Sequence, residues 1–185
     1  MKRKPLFLDR DGVLNEDIKP YVSHRSKLKL FPYTVEALCL LNQAGYDLYV
    51  ISNQQGVSLG ITPQRELEAM VEMIQSPLRE SGFEIRRFYH CTARDSDNHP
   101  WRKPSPGMIL SASEEFDFDP TGAFVIGDKW SDIEAGARAG CRGLLVKTGV
   151  TEDDSYKQWK YPPEQVFENL LEAAQWVAQL SAEEV

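Results

Sequence analysis

Asp9 and Asp11 stand two residues apart in Phe7-Leu-Asp-Arg-Asp-Gly-Val-Leu-Asn15, directly after the apolar run Leu6-Phe7-Leu8. Three consecutive apolar residues bounded by turn-formers predict a buried strand, and a buried strand end is a costly place for carboxylates. Period two along a strand sends both aspartates to one side, where like charges resist joint ionisation unless a cation compensates them. Two later apolar runs also end in polar groups: Leu48-Tyr-Val-Ile51 in Ser52-Asn53-Gln54, and Phe124-Val-Ile126 in Gly127-Asp128. One polar strand end is ordinary turn chemistry. Three on one sheet edge point to a site. Asp9, Asp11 and Asp128, with Asp132 close by, face two basic candidates, Lys103 and Lys129. So negative a cluster suits a hard divalent cation with oxygen ligands, and Mg2+ fits where phosphate is also bound. A carboxylate beside Mg2+ and a lysine can attack phosphorus, because the cations neutralise the phosphoryl oxygens. The second aspartate is placed to protonate the leaving oxygen and then to take a proton from water.

The elements that must position these residues alternate. Strands are predicted at Leu6–Leu8, Asp47–Ile51, Glu84–His90, Ala123–Ile126 and Gly143–Val146. Between them, Val35, Leu38 and Leu41 mark a helix that stops at Gly45. Leu67, Met70, Val71, Ile74 and Leu78 mark another, with Thr62 as N-cap, Pro63 at its first position and Pro77 breaking or kinking its end. Ser105-Pro106 opens a helix carrying Met108, Ile109, Ala112 and Phe116. Ser131-Asp-Ile-Glu134 reads as a capping box, and Pro163 opens a last helix with the stripe Val166, Leu170, Leu171, Ala174 and Val177. Strand and helix in alternation imply an α/β, doubly wound (Rossmann-like) parallel sheet of five or more strands with helices on both faces. In such sheets ligands bind beyond the carboxyl ends of the strands, where the polar residues collect.

Asp9-Arg-Asp-Gly-Val-Leu-Asn15, Ser52-Asn-Gln-Gln-Gly56, Arg102-Lys-Pro104 with Pro106-Gly107, and Gly127-Asp-Lys-Trp-Ser-Asp132 resemble the four ordered motifs of the haloacid dehalogenase (HAD) phosphatase superfamily. They are most similar to the branch that contains the D-glycero-D-manno-heptose 1,7-bisphosphate 7-phosphatases and the histidinol-phosphatases, and the match runs from about residue 5 to residue 150. The resemblance implies Asp9 as nucleophile and Asp11 as general acid/base, with Ser52 and Lys103 steadying the transferring phosphoryl group. It implies Mg2+ held by Asp9, the Asp11 backbone carbonyl and Asp128, with Asp132 behind them. Asn53, Gln54 and Lys129 match substrate-contacting positions, and Arg102 the residue that recognises the remote part of the substrate. A polynucleotide 3′-phosphatase shares parts of the same pattern.

Relatives in this branch often carry a Cys-x-His and Cys-x-Cys zinc loop before the Arg-Lys-Pro motif. Here Cys91 takes the first position, but Ala93 replaces the histidine, and His99 and Trp101 replace the later cysteines. Two ligands cannot close a four-coordinate site, so structural zinc is not expected. From Asp9 to Ser52 is 43 positions and from Ser52 to Lys103 is 51. A strand, helix and return strand alone need roughly 30 residues, which leaves no room for a cap domain in either gap. The chain reads as a single HAD-like domain, residues 1–185, with an open site whose specificity comes from residues 16–30 and 92–102. Trp130 is expected to pack, His90 to fill its strand rather than act as a base, and Cys141 to be a small core residue. Glu114-Glu115 and Glu183-Glu184 read as solvated surface, and Lys157–Tyr161 as packing for the last helix or an aromatic patch.

A net charge of -7 over 185 residues speaks against nucleic acid as partner. The partner expected is a small phosphorylated metabolite. Three scattered cysteines show no disulfide framework. The basic start Met1-Lys-Arg-Lys4 leads into an apolar run too short for a signal peptide or a membrane span. A cytoplasmic monomer is the simplest expectation. A receiver-like phospho-accepting module would share the acidic Mg2+ pocket, but it needs no proton donor two residues after the phospho-accepting aspartate, and it carries that aspartate on its third strand.

Overall fold

A computed structural model describes residues 3–151 and 153–183; Met1-Lys2 of the basic start and Glu184 of the expected acidic pair lie outside the described residues. Six parallel strands form one sheet: β1 (Lys4–Leu8), β2 (Tyr46–Asn53), β3 (Arg87–Cys91), β4 (Phe124–Gly127), β5 (Arg142–Val146) and β6 (Gln165–Phe167), in the order β3-β2-β1-β4-β5-β6. The helices are α1 (Thr34–Gln43), α2 (Gln64–Glu80), α3 (Gly107–Phe116), α4 (Trp130–Arg138) and α5 (Leu170–Glu183). Alternation along the strands divides the core in two. Leu6 and Leu8 of β1, with Leu48, Val50, Ile126 and Leu144, pack under α1, α2 and α5. Phe7, Tyr49, Ile51 and Val125 point the other way, under Met108, Ile109 and Ala112 of α3. With both faces covered, the central strands are apolar throughout, which explains why they appear in the sequence as unbroken runs.

Several local expectations shift. Strand β3 begins at Arg87, three residues after Glu84, and reaches Cys91. Pro63 is the N-cap of α2 with extended backbone (ψ 140), so the helix starts at Gln64 and Thr62 is a buried residue ahead of it. Pro77 does not end α2: the helix runs to Glu80, its last turn anchored by the fully buried Leu78 and closed by the Ser81 N–H on the Pro77 and Leu78 carbonyls. Pro106 caps α3 rather than lying inside it. Helix α4 starts at Trp130, so Ser131 is already helical; the capping carboxylate is Asp132, whose Oδ2 accepts the backbone N–H groups of Asp128 (3.2 Å) and Lys129 (3.3 Å).

The largest difference lies near the carboxyl terminus. Val166 belongs to the edge strand β6, opposite Leu145, and α5 opens only at Leu170. A three-residue strand has too few positions to show a period, so its Val and Phe merged with the helical stripe that follows. Lys157–Tyr161 does not pack under α5. Trp159, Lys160 and Tyr161 face Trp130 and Glu134 of α4 across a hollow of about 110 Å³. Among the described residues no helix is long and apolar enough to cross a membrane.

Candidate active site

Strand order reverses between β1 and β4, the switch point at which open α/β sheets bind ligands. Asp9 follows β1 and Asp128 follows β4 at that point, and the Asp9 N–H donates to the Ile126 carbonyl at 3.0 Å. Strand β1 ends at Leu8, so the two aspartates are not neighbours on one face of a strand. The chain turns at Gly12 (φ +84), and the Arg10 carbonyl accepts from Val13, Leu14 and Asn15. This turn gives each carboxylate its own cations, and the like-charge conflict read from the spacing does not arise.

Asp9 is buried, with Lys103 Nζ 2.9 Å from Oδ1 and Lys129 Nζ 2.8 Å from Oδ2. Burial opposes its ionisation, but the two ammonium groups outweigh burial and hold its carboxyl well below the usual range. Lys103 Nζ also reaches Asp132 Oδ1 (2.7 Å) and donates to the Ile51 carbonyl (2.8 Å), which binds it to β2, β1 and α4 at once. Removing that ammonium would leave Asp9 to Lys129 alone and take the nearest cation from Asp132 Oδ1. Lys129 Nζ bridges Asp9 and Asp128 Oδ1, the latter at 3.2 Å. Asp128 is fully buried and its Oδ2 accepts the Val150 N–H at 2.7 Å. Burial, opposed by Lys129 and reinforced by Asp132 and Asp9, pushes its carboxyl up to about 7.

Asp11 is held quite differently. Its Oδ1 accepts from Arg10 Nε (3.0 Å) and Asn15 Nδ2 (2.8 Å), and its Oδ2 from Arg10 Nη2 (2.8 Å) and Gln54 Nε2 (2.9 Å). Arg10 is fully buried. Neither Arg10 nor Asn15 was singled out from the sequence, because strand alternation would send Arg10 away from its neighbours. The same Gln54 amide donates to Ser52 Oγ at 2.8 Å. Asn53 is turned to Lys103: its Oδ1 accepts the Lys103 N–H and its Nδ2 donates to the Lys103 carbonyl, both at 3.1 Å. Both functional ends of that amide therefore brace the Lys103 loop.

A cleft of about 390 Å³ opens over these groups, lined by Asp11, Gln54, Lys103 and Lys129. Its rim includes Asp17, Lys19 and Tyr21 from the 16–30 loop, and Asp95 and Arg102 from the 92–102 loop. Trp130 and Val150 line it too, from outside either loop. The indole of Trp130 is not packed: the residue is 50% exposed. The 16–30 loop is latched to α2 by Arg25, whose Nε and Nη2 each lie 3.0 Å from a carboxylate oxygen of the buried Glu66. Arg102 is bound to Asp95 and donates from Nη1 to the Ala93 carbonyl at 3.0 Å. His90 lies on β3 beside Ser52, and burial pushes its imidazole down to about 4, with Arg10 adding to the shift. A second hollow, of about 400 Å³, opens at the far edge of the sheet between Pro5, Tyr46 and Phe118. Its guanidinium groups, Arg3 and Arg142, are committed to Asp47 and Glu164, so it offers nothing comparable.

Comparison with known proteins agrees with this geometry. The HAD-hydrolase-like family model matches residues 100–173. The D-glycero-D-manno-heptose-1,7-bisphosphate 7-phosphatase of Chlorobaculum tepidum is 36% identical over 182 residues, covering 92% of each chain. The chain belongs to the HAD-like hydrolases, in the heptose-bisphosphate phosphatase branch. Another member of this branch, the D-glycero-beta-D-manno-heptose-1,7-bisphosphate 7-phosphatase of Pseudomonas aeruginosa, is 36% identical over 80% of this chain and 84% of its own. The crystal structure of D,D-heptose 1,7-bisphosphate phosphatase from B. bronchiseptica, complexed with magnesium and phosphate, superposes with a TM-score of 0.88 at 30% identity, covering 96% of this chain and 99% of that one.

The residues fit a hard cation. Carboxylate oxygens of Asp9, Asp128 and Asp132 lie within 4.8 Å of one another. Three carboxylates face two lysines, so once Asp128 is ionised the buried cluster carries one negative charge in excess. Asp9 Oδ2 and Asp128 Oδ1 already converge on one ammonium group, whereas Asp132 is spent on Lys103 and the start of α4. Zinc does not fit its place in the family. Cys91 Sγ lies 3.8 Å from His99 Nδ1, but Ala93 and Trp101 supply no ligand, and Trp101 packs edge-on against Tyr89 at 5.7 Å between ring centroids.

Proposed function

We propose that this chain is a Mg2+-dependent phosphomonoesterase that removes the 7-phosphate of D-glycero-D-manno-heptose 1,7-bisphosphate through an aspartyl-phosphate on Asp9. The observation that carries this reading is the Asp9 carboxylate held ionised between Lys103 and Lys129, with a second carboxylate, Asp11, on a separate set of donors beside it. Mg2+, held by Asp9, Asp128 and the Asp11 backbone carbonyl, would supply positive charge to the phosphoryl oxygens. Asp9 attacks phosphorus, Lys103 and Ser52 meet the charge on the transferring group, and Asp11 delivers a proton to the departing sugar oxygen. Asp11 then takes a proton from the water that opens the acyl phosphate. Arg102, at the rim on the 92–102 loop, would meet the distant phosphate of a bisphosphate by exchanging its contact with the exposed Asp95 for the phosphate.

The test is release of inorganic phosphate from heptose 1,7-bisphosphate, supplied as each anomer, beside histidinol phosphate and a 3′-phosphorylated oligonucleotide. Steady turnover of the bisphosphate, abolished by Asp9→Asn with the fold retained, is the expected result. A single stoichiometric phosphorylation without turnover would point to a receiver-like module.

A further inference from the structure

Gln54 stands among substrate-contacting positions in the family pattern, yet its side chain is turned inward. It is 7% exposed, and its backbone N–H donates to the Cys91 carbonyl at 2.7 Å, which fixes it against the end of β3. Its amide nitrogen lies 2.9 Å from Asp11 Oδ2 and 2.8 Å from Ser52 Oγ. An amide nitrogen carries two hydrogens and can only donate, so one hydrogen is committed to Asp11 Oδ2 and the other is aimed at Ser52 Oγ. A serine oxygen that accepts from Gln54 keeps its own hydroxyl hydrogen for another acceptor. Gln54 thus donates to Ser52, and the Ser52 hydroxyl hydrogen would be left for a phosphoryl oxygen.

We propose that Gln54 is a positioning residue that ties the proton-transferring carboxylate of Asp11 to the phosphoryl-binding hydroxyl of Ser52 through one side-chain amide. This rests on the phosphatase reading and adds to it a physical link between the two ends of the reaction. Oδ1 of Asp11 is already taken by Arg10 and Asn15, so among the described residues Gln54 is the donor on this carboxylate that also touches Ser52. Its loss should therefore disturb both proton delivery to the leaving group and the polarity of the Ser52 hydroxyl.

The two effects separate by leaving group. An alkoxide must be protonated as it departs, whereas p-nitrophenolate need not be. Gln54→Leu removes both donors at nearly constant volume. Its kcat should fall on the order of 100-fold for the sugar phosphate, the low end of what lost acid catalysis costs, and clearly less for p-nitrophenyl phosphate. In an Asp11→Asn background the same change should fall equally on both esters. Gln54→Asn, which keeps the amide but is too short to span both partners, should show the same leaving-group signature and serves if the leucine variant does not fold. Equal losses for both esters in the single variants would overturn the proposal. So would a change in KM alone, which marks a direct substrate contact, or a lowered Tm with unaltered kcat, which marks a purely structural role. Wild-type turnover with indifferent Gln54 variants contradicts this role alone; no wild-type turnover of either ester contradicts the phosphatase reading and this role with it.

Discussion

Gly149→Ala tests whether the buried carboxylate of Asp128 must sit where it does. Gly149 adjoins Asp128 so closely that an added Cβ would lie 2.1 Å from Oδ2, 2.6 Å from Cγ and 2.7 Å from the Asp128 Cβ. The contact involves the whole side chain, and Asp128 has little freedom to swing, being fully buried with Oδ2 bound to Val150 N–H and Oδ1 beside Lys129. Restoring ordinary contact requires the carboxylate or the 148–150 loop to retreat by about 1 Å, a misplacement that costs on the order of 100-fold in rate at a catalytic centre. The measurement is a Mg2+ titration of kcat with p-nitrophenyl phosphate, beside thermal unfolding and circular dichroism. We expect a folded variant with kcat reduced about 100-fold and a higher Mg2+ concentration at half-saturation. A folded Gly149→Ala enzyme with wild-type kcat and wild-type Mg2+ dependence would refute the assignment of Asp128 to the metal.

Protonation of Asp128 supplies a second test. Its carboxyl is pushed up to about 7 by burial, with Lys129 opposing and Asp132 and Asp9 adding to the rise. A cation binds the ionised form, so protons compete below that pH: Mg2+ affinity should be highest above 7 and fall as pH drops from 8 to 6, with proton release on binding. Isothermal titration calorimetry in buffers of different ionisation enthalpy measures both, and an unchanged affinity across that range contradicts the reading. Trp130→Ala should raise KM for the sugar bisphosphate several-fold and leave that for acetyl phosphate untouched, because the indole lines the cleft and acetyl phosphate has no sugar to meet it; equal effects on both substrates would place its influence elsewhere. Prolonged treatment with a zinc-selective chelator should leave Tm and activity unchanged, since Cys91 and His99 stand without two further ligands.

Much of this site was legible because it rests on strand ends. Apolar runs covered on both faces announce β1, β2 and β4; Asp9 and Asp128 meet at the switch point, and Ser52, near the end of β2, is joined to Asp11 through Gln54. What escaped the sequence depends on where the chain bends after the strand. Alternation extended past Leu8 would turn Arg10 away from Asp11, yet the turn folds the guanidinium back onto it. The inward orientation of Gln54 and Asn53 follows from contacts 43 and 50 residues away in sequence, which no local pattern carries. Trp130 is exposed because the first turn of α4 projects into the cleft, so residues 16–30 and 92–102 are not alone in lining it. Strand β6 was lost to its brevity.

The latch between Arg25 and Glu66 has a consequence for what becomes of the transferred group. The bond ties the 16–30 side of the mouth to α2, so closing that side would mean breaking it. A mouth held open admits water beside whatever it binds. A covalent phosphoryl group waiting inside it meets water long before a second alcohol, which commits the chain to hydrolysis instead of passing the phosphate to another acceptor.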